Sequence, residues 1–233
     1  FPLSAMDPSA PPITLPITEL RAEADRALDL FERRARQAGC DLLERRRIDE
    51  EAATAVCLQA RYADLVVIGQ QARGAGGQST GDDFQATVLL NCARPVLVVP
   101  AAGEIGPIGR RPSLAWNGSA EAMRAISSAI PLLRQAGQAR LLVIRRLGEH
   151  RVHGEEPGAD MALYLARHGI EVEVTLFDSG DDDGEALLSL AAEAGSDLLV
   201  MGAFGHSRLR EYVLGGATRT ALRCSPMALW MAH

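Results

Sequence analysis

The stretch MGAFGHSRLREYVLGGAT, residues 201–218, decides the fold of this chain. It follows the apolar run DLLV, which is typical of a buried strand, and leads into TRTALRC, which is typical of a helix. It holds two pairs of glycines, Gly202 with Gly205 and Gly215 with Gly216. Glycine lets backbone amides approach an anion closely, and a helix N-terminus favours negative charge. Strand, glycine loop and helix together predict an α/β fold with an anion-binding turn.

The same unit occurs twice in the chain. ADLVVIGQ (63–70) matches SDLLVMGA (196–203), and VLLNCARPVLVV (88–99) resembles TALRCSPMALWM (220–231). The two offsets, 133 residues (63 to 196) and 132 residues (88 to 220), are nearly equal, which indicates one duplicated unit.

Strands and helices alternate in the second unit. The strand SLAW leads into Asn117, Gly118 and Ser119, and the Ser119 hydroxyl is placed to cap the helix that follows. The segments ARLLVIRRL, IEVEVTLF, DLLVMGA and PMALWMA are further strands, and Gly169 ends one of the intervening helices. This alternation predicts a largely parallel sheet with right-handed crossovers.

We predict two domains, residues 1–104 and 105–233. The repeat offset places the first domain's counterpart of Trp116 before residue 1. We therefore expect that domain to lack its N-terminal strand and helix, which would need about 40 or more residues upstream of residue 1. Its loop QQARGAGGQSTGDDFQATVLL has no Gly-x2-Gly step and keeps only Gly69. We therefore expect the first domain to support the second without binding a ligand.

Composition excludes several classes of protein. The formal net charge of −6 is opposite to a broad nucleic-acid or anionic-membrane footprint, and no run of about 18 apolar residues occurs. The four cysteines show no CxxC spacing, which favours reduced thiols in the cytoplasm: Cys40, Cys57, Cys92 and Cys224.

At this point the motifs resemble those of one family. Gly202-x2-Gly205-x9-Gly215 followed by a small residue resembles the nucleotide-binding signature of the universal stress proteins. GHSRLREYVLGG resembles their phosphate loop, and LAWNGSAEAMRAI resembles their opening strand, turn and helix. The resemblance covers most of the second domain and, more loosely, the first from Arg21 to Pro100.

The resemblance implies two tandem five-stranded, parallel-sheet, Rossmann-like domains of the adenine nucleotide alpha hydrolase type. It implies that they pair as an intramolecular pseudo-dimer through their last strands, PVLVVP (95–100) and MALWMAH (227–233). A single chain then suffices for the pairing, and further association into a homodimer is left open.

The resemblance also implies a ligand, ATP or a related adenine nucleotide, with or without Mg²⁺. It places the base near Trp116, Asn117 and Val143, and the remaining cofactor contacts at Met201, Gly202, Gly205, Gly215, Gly216, Ala217 and Thr218. Asn117 stands where the family usually has aspartate, and Gly216 stands where it usually has serine. Losing one hydrogen bond to a charged group costs about 1.5–3 kcal/mol, which predicts weak binding.

The function implied is that of a stress-response regulatory protein that binds nucleotide and is not an enzyme. The alternatives are a slow ATP hydrolase on the same scaffold and an interaction scaffold without a nucleotide. Arg208 and Arg210 are placed to lean toward the phosphates. His206, Ser207 and Asp197 lie near the phosphate loop in the sequence, but no Gly-x-Ser-x-Gly elbow occurs, so no catalytic residue is predicted. His150, His153 and the acids beside them are interpreted as a solvated loop rather than a metal site.

Overall fold

The computed structural model describes residues 17–71, 80–103, 105–145, 156–178, 182–205 and 216–233, with side chains in 80–91 described from residue 84 onward. Its helices are α1 (Ile17–Gln37), α2 (Ala52–Ala60), α3 (Thr80–Asn91), α4 (Ala120–Leu133), α5 (Ala159–Arg167), α6 (Asp183–Glu193) and α7 (Gly216–Cys224). Its strands are β1 (Val66–Gly69), β2 (Val96–Val99), β3 (Pro112–Trp116), β4 (Ala139–Arg145), β5 (Val172–Asp178), β6 (Leu198–Gly202) and β7 (Ala228–Ala232).

The chain divides into two compact units, Phe1–Glu50 and Glu51–His233. The described part of the first unit is α1 and an irregular segment, 40–50, tied to the helix by ion pairs such as Arg21 with Asp49 and Arg47 with Asp25. No residue of α1 is buried. Exposed ion pairs of this kind add little stability.

The second unit contains one seven-stranded sheet in the order β1-β2-β7-β6-β3-β4-β5. Every neighbouring pair is parallel except β2 and β7, which run antiparallel with Leu97 opposite Trp230. The mixed α/β fold and the mostly parallel sheet confirm the predicted fold class. The last strands of the two repeats pair with each other, as the resemblance implied.

The two repeats contribute unequally to the sheet. The second supplies β3 to β7, whereas the first supplies only β1 and β2 among the described residues. The repeat offset aligns β5 with residues 39–45, and these form no strand. A strand at that position requires a neighbour equivalent to β4 for its ladder hydrogen bonds, and the described residues of the first repeat contain none. The predicted domain boundary at residue 104 stays a prediction.

Helices cover both faces of the sheet. Alternate strand residues such as Leu142, Met201 and Met231 pack with α2, α3, α6 and α7, while their neighbours, such as Leu141 and Val200, pack with α4 and α5. Parallel strands buried on both faces read as continuous apolar runs, which is why DLLVM was recognisable as a strand. Among the described residues, no helix is both long and apolar enough to cross a membrane.

Gln70 joins the two repeats at the end of the sheet. Its side-chain Nε2 donates to the carbonyl oxygens of Leu222 at 3.0 Å and Ser225 at 3.2 Å, and its Oε1 accepts from the N–H of Ala101. Carbonyls at a helix C-terminus have no partner within the helix. A side chain from the first repeat therefore satisfies the end of α7, whose beginning belongs to the candidate site.

Candidate functional site

The order of strands reverses between β3 and β6. After β3 the chain adds β4 and then β5 on one side of that strand, and after β6 it adds β7 on the opposite side of the sheet. The two strands are parallel neighbours, with Leu114 opposite Val200. In open α/β sheets the crevice beyond the carboxyl ends of such strands is where ligands bind. The residues that follow Trp116 and Gly202 therefore define the candidate site.

The turn after β3 is held by its own side chains. Asn117 Oδ1 accepts from the Ser119 N–H at 3.1 Å, and Ser119 Oγ accepts from the Ala122 N–H at 3.1 Å. Gly118 has a φ of 75°, which favours glycine. Ser119 is the N-cap of α4, as predicted. An aspartate makes the same turn, so the asparagine preserves the local backbone while removing a negative charge.

Gly202 allows the end of β6 to press against the first turn of α4. A Cβ atom at this position would lie 2.5 Å from the Ala122 nitrogen and 2.7 Å from the carbonyl carbon of Glu121. The structure thus explains this glycine by packing within the protein. Its contact with a phosphate stays a prediction.

Four contacts brace the loop that follows β6. Phe204 lies in the left-handed region with a φ of 51°, and its N–H donates to Thr218 Oγ1 at 3.0 Å. The Ala203 N–H donates to the carbonyl oxygen of Ala232 at 2.8 Å, and His233 Nδ1 lies 2.8 Å from the Ala203 carbonyl oxygen. The fourth contact is the burial of the Phe204 ring in the core. A bulky residue with positive φ is an outlier that marks a constrained, often functional, turn.

Thr218 joins this loop to α7. Its side chain is buried, and its hydroxyl oxygen is engaged as the acceptor for Phe204. The predicted contact of this hydroxyl with a phosphate stays a prediction, while its bracing role was not foreseen. Gly216 at the beginning of α7 is different, since it is exposed and a Cβ there would meet no atom of the described residues within 4 Å.

Predicted residues on two strands offer only their main chain to a ligand. Val143 is fully buried opposite Trp116, and Gly158 approaches it so closely that a Cβ there would lie 2.7 Å from Val143 Cγ2. Met201 is likewise buried in the core on the other face of the sheet. Trp116 is half-buried, so of these three side chains only its indole has surface left at the crevice.

The carboxylate of Glu121 was not predicted as part of the site. Its Oε2 atom lies 3.7 Å from the position that a Cβ of Gly205 would occupy. That atom is buried and has no hydrogen-bond partner among the described residues. An acid in the first turn of a helix is ordinarily explained by the helix dipole, so the sequence alone carried no signal for this placement.

Asp182 stabilises the contact between α6 and α7, the helix that begins at the candidate site. Its carboxylate accepts from the N–H groups of Gly184 and Glu185, and Thr220 Oγ1 donates to it at 2.9 Å, which joins α6 to α7. Desolvation raises the pKa of Asp182, but the hydrogen bonds from Thr220, Glu185 and Gly184 together outweigh it and hold the pKa below its ordinary value. The helices meet so closely that a Cβ on Gly184 would lie 2.8 Å from the Cα of Ala217.

Several predicted groups lie elsewhere or outside the described residues. Asp197 is at the amino end of β6, away from the crevice, where its carboxylate accepts from the N–H groups of Gly109, Arg110 and Arg111. Those bonds give it a structural role. The other candidates fall outside the described residues: Gly215, His206, Ser207, Arg208, Arg210, His150 and His153.

Comparisons with known proteins agree with this architecture. The sequence profile of the universal stress protein family matches residues 114–233, just over half of the chain. The chain therefore belongs to the universal stress protein family. No curated protein matches it by sequence.

Solved structures share the fold. A universal stress protein from Archaeoglobus fulgidus DSM 4304 has a TM-score of 0.71 at 19% identity, covering 96% of this chain and 81% of that one. A putative universal stress protein from Pseudomonas aeruginosa UCBPP-PA14 has a TM-score of 0.61 at 13% identity, covering 89% and 77%. A universal stress protein in complex with cAMP has a TM-score of 0.41 at 18% identity, covering 53% and 97%.

Proposed function

We propose that this protein binds an adenine nucleotide, ATP or a close relative, at the carboxyl ends of β3 and β6 and acts as a regulatory protein of the stress response. The proposal rests mainly on one observation: the turn after β3 and the loop after β6 meet at the point where the strand order reverses. Gly202 brings the loop of β6 onto the first turn of α4, beside the turn that Asn117 forms. This is the crevice in which related sheets bind nucleotides.

The geometry supports an approach by phosphate at two positions. Neither Gly205 nor Gly216 has positive φ, and among the described residues a Cβ on either would meet at most one atom within 4 Å, Glu121 Oε2. Open space beside backbone amides, at the beginning of α7, is the environment that anions occupy at helix N-termini. The base would lie along Trp116 and the main chain of Val143.

The regulatory assignment rests on the family and on the fold. Members of this family are generally regulatory, and the braced loop that joins β6, β7 and α7 provides a connection from the crevice to the β2–β7 pairing. We propose that the two repeats form a pseudo-dimer through that pairing. We place the protein in the cytoplasm, since its four cysteines are free thiols.

A slow ATP hydrolase is the second candidate, and one observation favours it. The sequence offered no acid placed to orient water, whereas the structure brings the Glu121 carboxylate beside Gly205. A carboxylate in such a place can orient an attacking water. Turnover of ATP that exceeds the background of a Glu121→Gln variant would favour the enzyme, and stoichiometric binding without turnover favours the regulator.

Calorimetry with ATP and AMP tests the proposal. The informative variant is Gly205→Val, because a Cβ there meets only one atom of the described residues within 4 Å, Glu121 Oε2 at 3.7 Å, and the added side chain would occupy the crevice. The matched control is Gly106→Val, before β3 and outside the crevice, where a Cβ meets no atom of the described residues within 4 Å. We expect micromolar binding that Gly205→Val abolishes and Gly106→Val preserves. Absence of binding to the unmodified protein at millimolar ligand would overturn the proposal in favour of an interaction scaffold.

A further inference from the structure

The Glu121 carboxylate is an unsatisfied charge within the candidate site. Its side chain is only 14% exposed, and its buried Oε2 has no hydrogen-bond partner among the described residues. The other oxygen, Oε1, lies 3.7 Å from Arg124 Nη1, whose side chain is 54% exposed, so that ion pair is loose. Buried polar atoms are nearly always hydrogen-bonded in native proteins, and an exception calls for an explanation such as an absent ion.

Packing fixes the backbone that carries this carboxylate. Gly202 holds the end of β6 against the backbone of Glu121, where a Cβ would lie 2.7 Å from the Glu121 carbonyl carbon. The Glu121 backbone therefore cannot move away from the end of β6 unless α4 and β6 separate. Its Oε2 faces Gly205, the glycine where the proposed function places a phosphate.

A carboxylate and a phosphate in such proximity repel each other. Two like unit charges about 4 Å apart near a protein surface weaken binding by roughly a thousandfold. A positive charge between the two groups would remove this penalty. Mg²⁺ suits the position, because it is usually held by one or two carboxylates together with substrate phosphates and water.

We propose that Glu121 is the residue that makes phosphate binding depend on a divalent cation, by ligating Mg²⁺ that bridges it to the nucleotide. This inference rests on the proposed function. The described residues contain no group of three or more His, Cys, Asp or Glu side chains that could hold a metal ion on their own. The cation therefore enters with the nucleotide, and Mg²⁺ alone binds weakly or not at all.

Calorimetry with the non-hydrolysable analogue β,γ-imido-ATP tests this, in Mg²⁺ and in EDTA. We expect the affinity of the unmodified protein to fall by about tenfold to a thousandfold in EDTA. Glu121→Gln keeps the shape of the side chain and removes its charge, so its affinity in EDTA should exceed that of the unmodified protein and change less than about threefold with Mg²⁺. Glu185→Gln, an exposed acid in the first turn of α6, is the matched control and should behave as the unmodified protein.

Each outcome has one meaning. Equal binding by the unmodified protein in Mg²⁺ and in EDTA would overturn the role of Glu121 while leaving the proposed function intact. Binding lost in Glu121→Gln under both conditions, with an unchanged Tm, would also overturn it, because the carboxylate would then act without a cation. Binding by neither protein in either condition would overturn the proposed function, and the inference with it. Mg²⁺ titrated alone should give no heat of binding, and a tight site without nucleotide would contradict the bridging arrangement.

Discussion

The backbone N–H of Phe204 donates to Thr218 Oγ1 at 3.0 Å, within the core and across the loop that joins β6 to α7. Phe204 has a φ of 51°, which an aromatic residue adopts only when its surroundings enforce it. The Thr218 hydroxyl thus helps to fix the path of the chain at Phe204, beside the crevice.

Removing that hydroxyl should destabilise the protein. Thr218→Val keeps the side-chain volume but leaves the Phe204 N–H buried without a partner, which costs about 1–3 kcal/mol in the free energy of unfolding. Urea denaturation measures the change. Thr218→Ser keeps the acceptor and should cost clearly less than valine. Equal losses for valine and serine would show that the methyl group matters and the hydrogen bond does not.

Gly202, the last residue of β6, and Gly205 should differ in how strongly an alanine substitution destabilises the protein. Gly202→Ala places a methyl group 2.5 Å from the Ala122 nitrogen, and overpacking of this kind costs about 1–3 kcal/mol. Gly205→Ala meets one atom at 3.7 Å and should change the free energy of unfolding by less than about 0.5 kcal/mol. Thermal or urea unfolding of both variants checks this, and a neutral Gly202→Ala would contradict the packing explanation. For the same reason Gly202 variants are poor probes of ligand binding.

Restoring the serine that the family usually has at Gly216 should tighten nucleotide binding. The position is exposed, and a Cβ there meets no atom of the described residues within 4 Å, so we expect Gly216→Ser to be accommodated and to add a hydroxyl at the beginning of α7. One hydrogen bond to a charged group contributes about 1.5–3 kcal/mol, which is roughly ten- to a hundredfold in Kd. Calorimetry with ATP measures it, and Gly216→Ala separates the hydroxyl from the added methyl. Identical Kd values for serine, alanine and glycine would place the phosphates away from residue 216.

Much of this architecture can be predicted from the sequence, because buried parallel strands and glycine turns have recognisable local sequence patterns. The run DLLVM, the Ser119 cap and the pairing of the two last strands follow from periodicity, from capping chemistry and from the resemblance. The roles of Gly202 and Thr218 were harder to separate, because the same residue types suit a phosphate and a tight contact between elements. Only the folded structure shows that the Thr218 hydroxyl oxygen accepts a hydrogen bond from the Phe204 N–H.

The residues that sequence reasoning missed depend on contacts between distant segments. Glu121 reads as an ordinary first-turn acid until Gly205, more than eighty residues later, is found beside it. Asp197 is a second example, since its three backbone partners at the amino end of β6 give it a structural role that no sequence pattern indicated. No local sequence pattern indicates at which edge of the sheet a side chain will make its contacts.

The stability contributed by the contact between α6 and α7 should depend on pH. The hydrogen bonds to Asp182 hold its pKa in the folded protein below the value of an unfolded aspartate. A depressed carboxyl pKa contributes stability that is fully present above the unfolded pKa, about 3.9, and is lost as the pH falls through the folded pKa. Asp182→Asn should therefore destabilise the protein at pH 7, with a penalty that shrinks below about pH 4.

Urea unfolding of the unmodified protein and of Asp182→Asn between pH 7 and pH 3 measures that difference. Asp160→Asn, an exposed acid in the first turn of α5, is the control for the general effect of a charge near a helix N-terminus and should show a smaller, flatter difference. A constant penalty for Asp182→Asn across the range would assign its contribution to hydrogen-bond geometry alone. A penalty that grows as the pH falls would contradict the direction of the pKa shift, and with it the account of Thr220 and the α6 amides as stabilisers of the charged carboxylate.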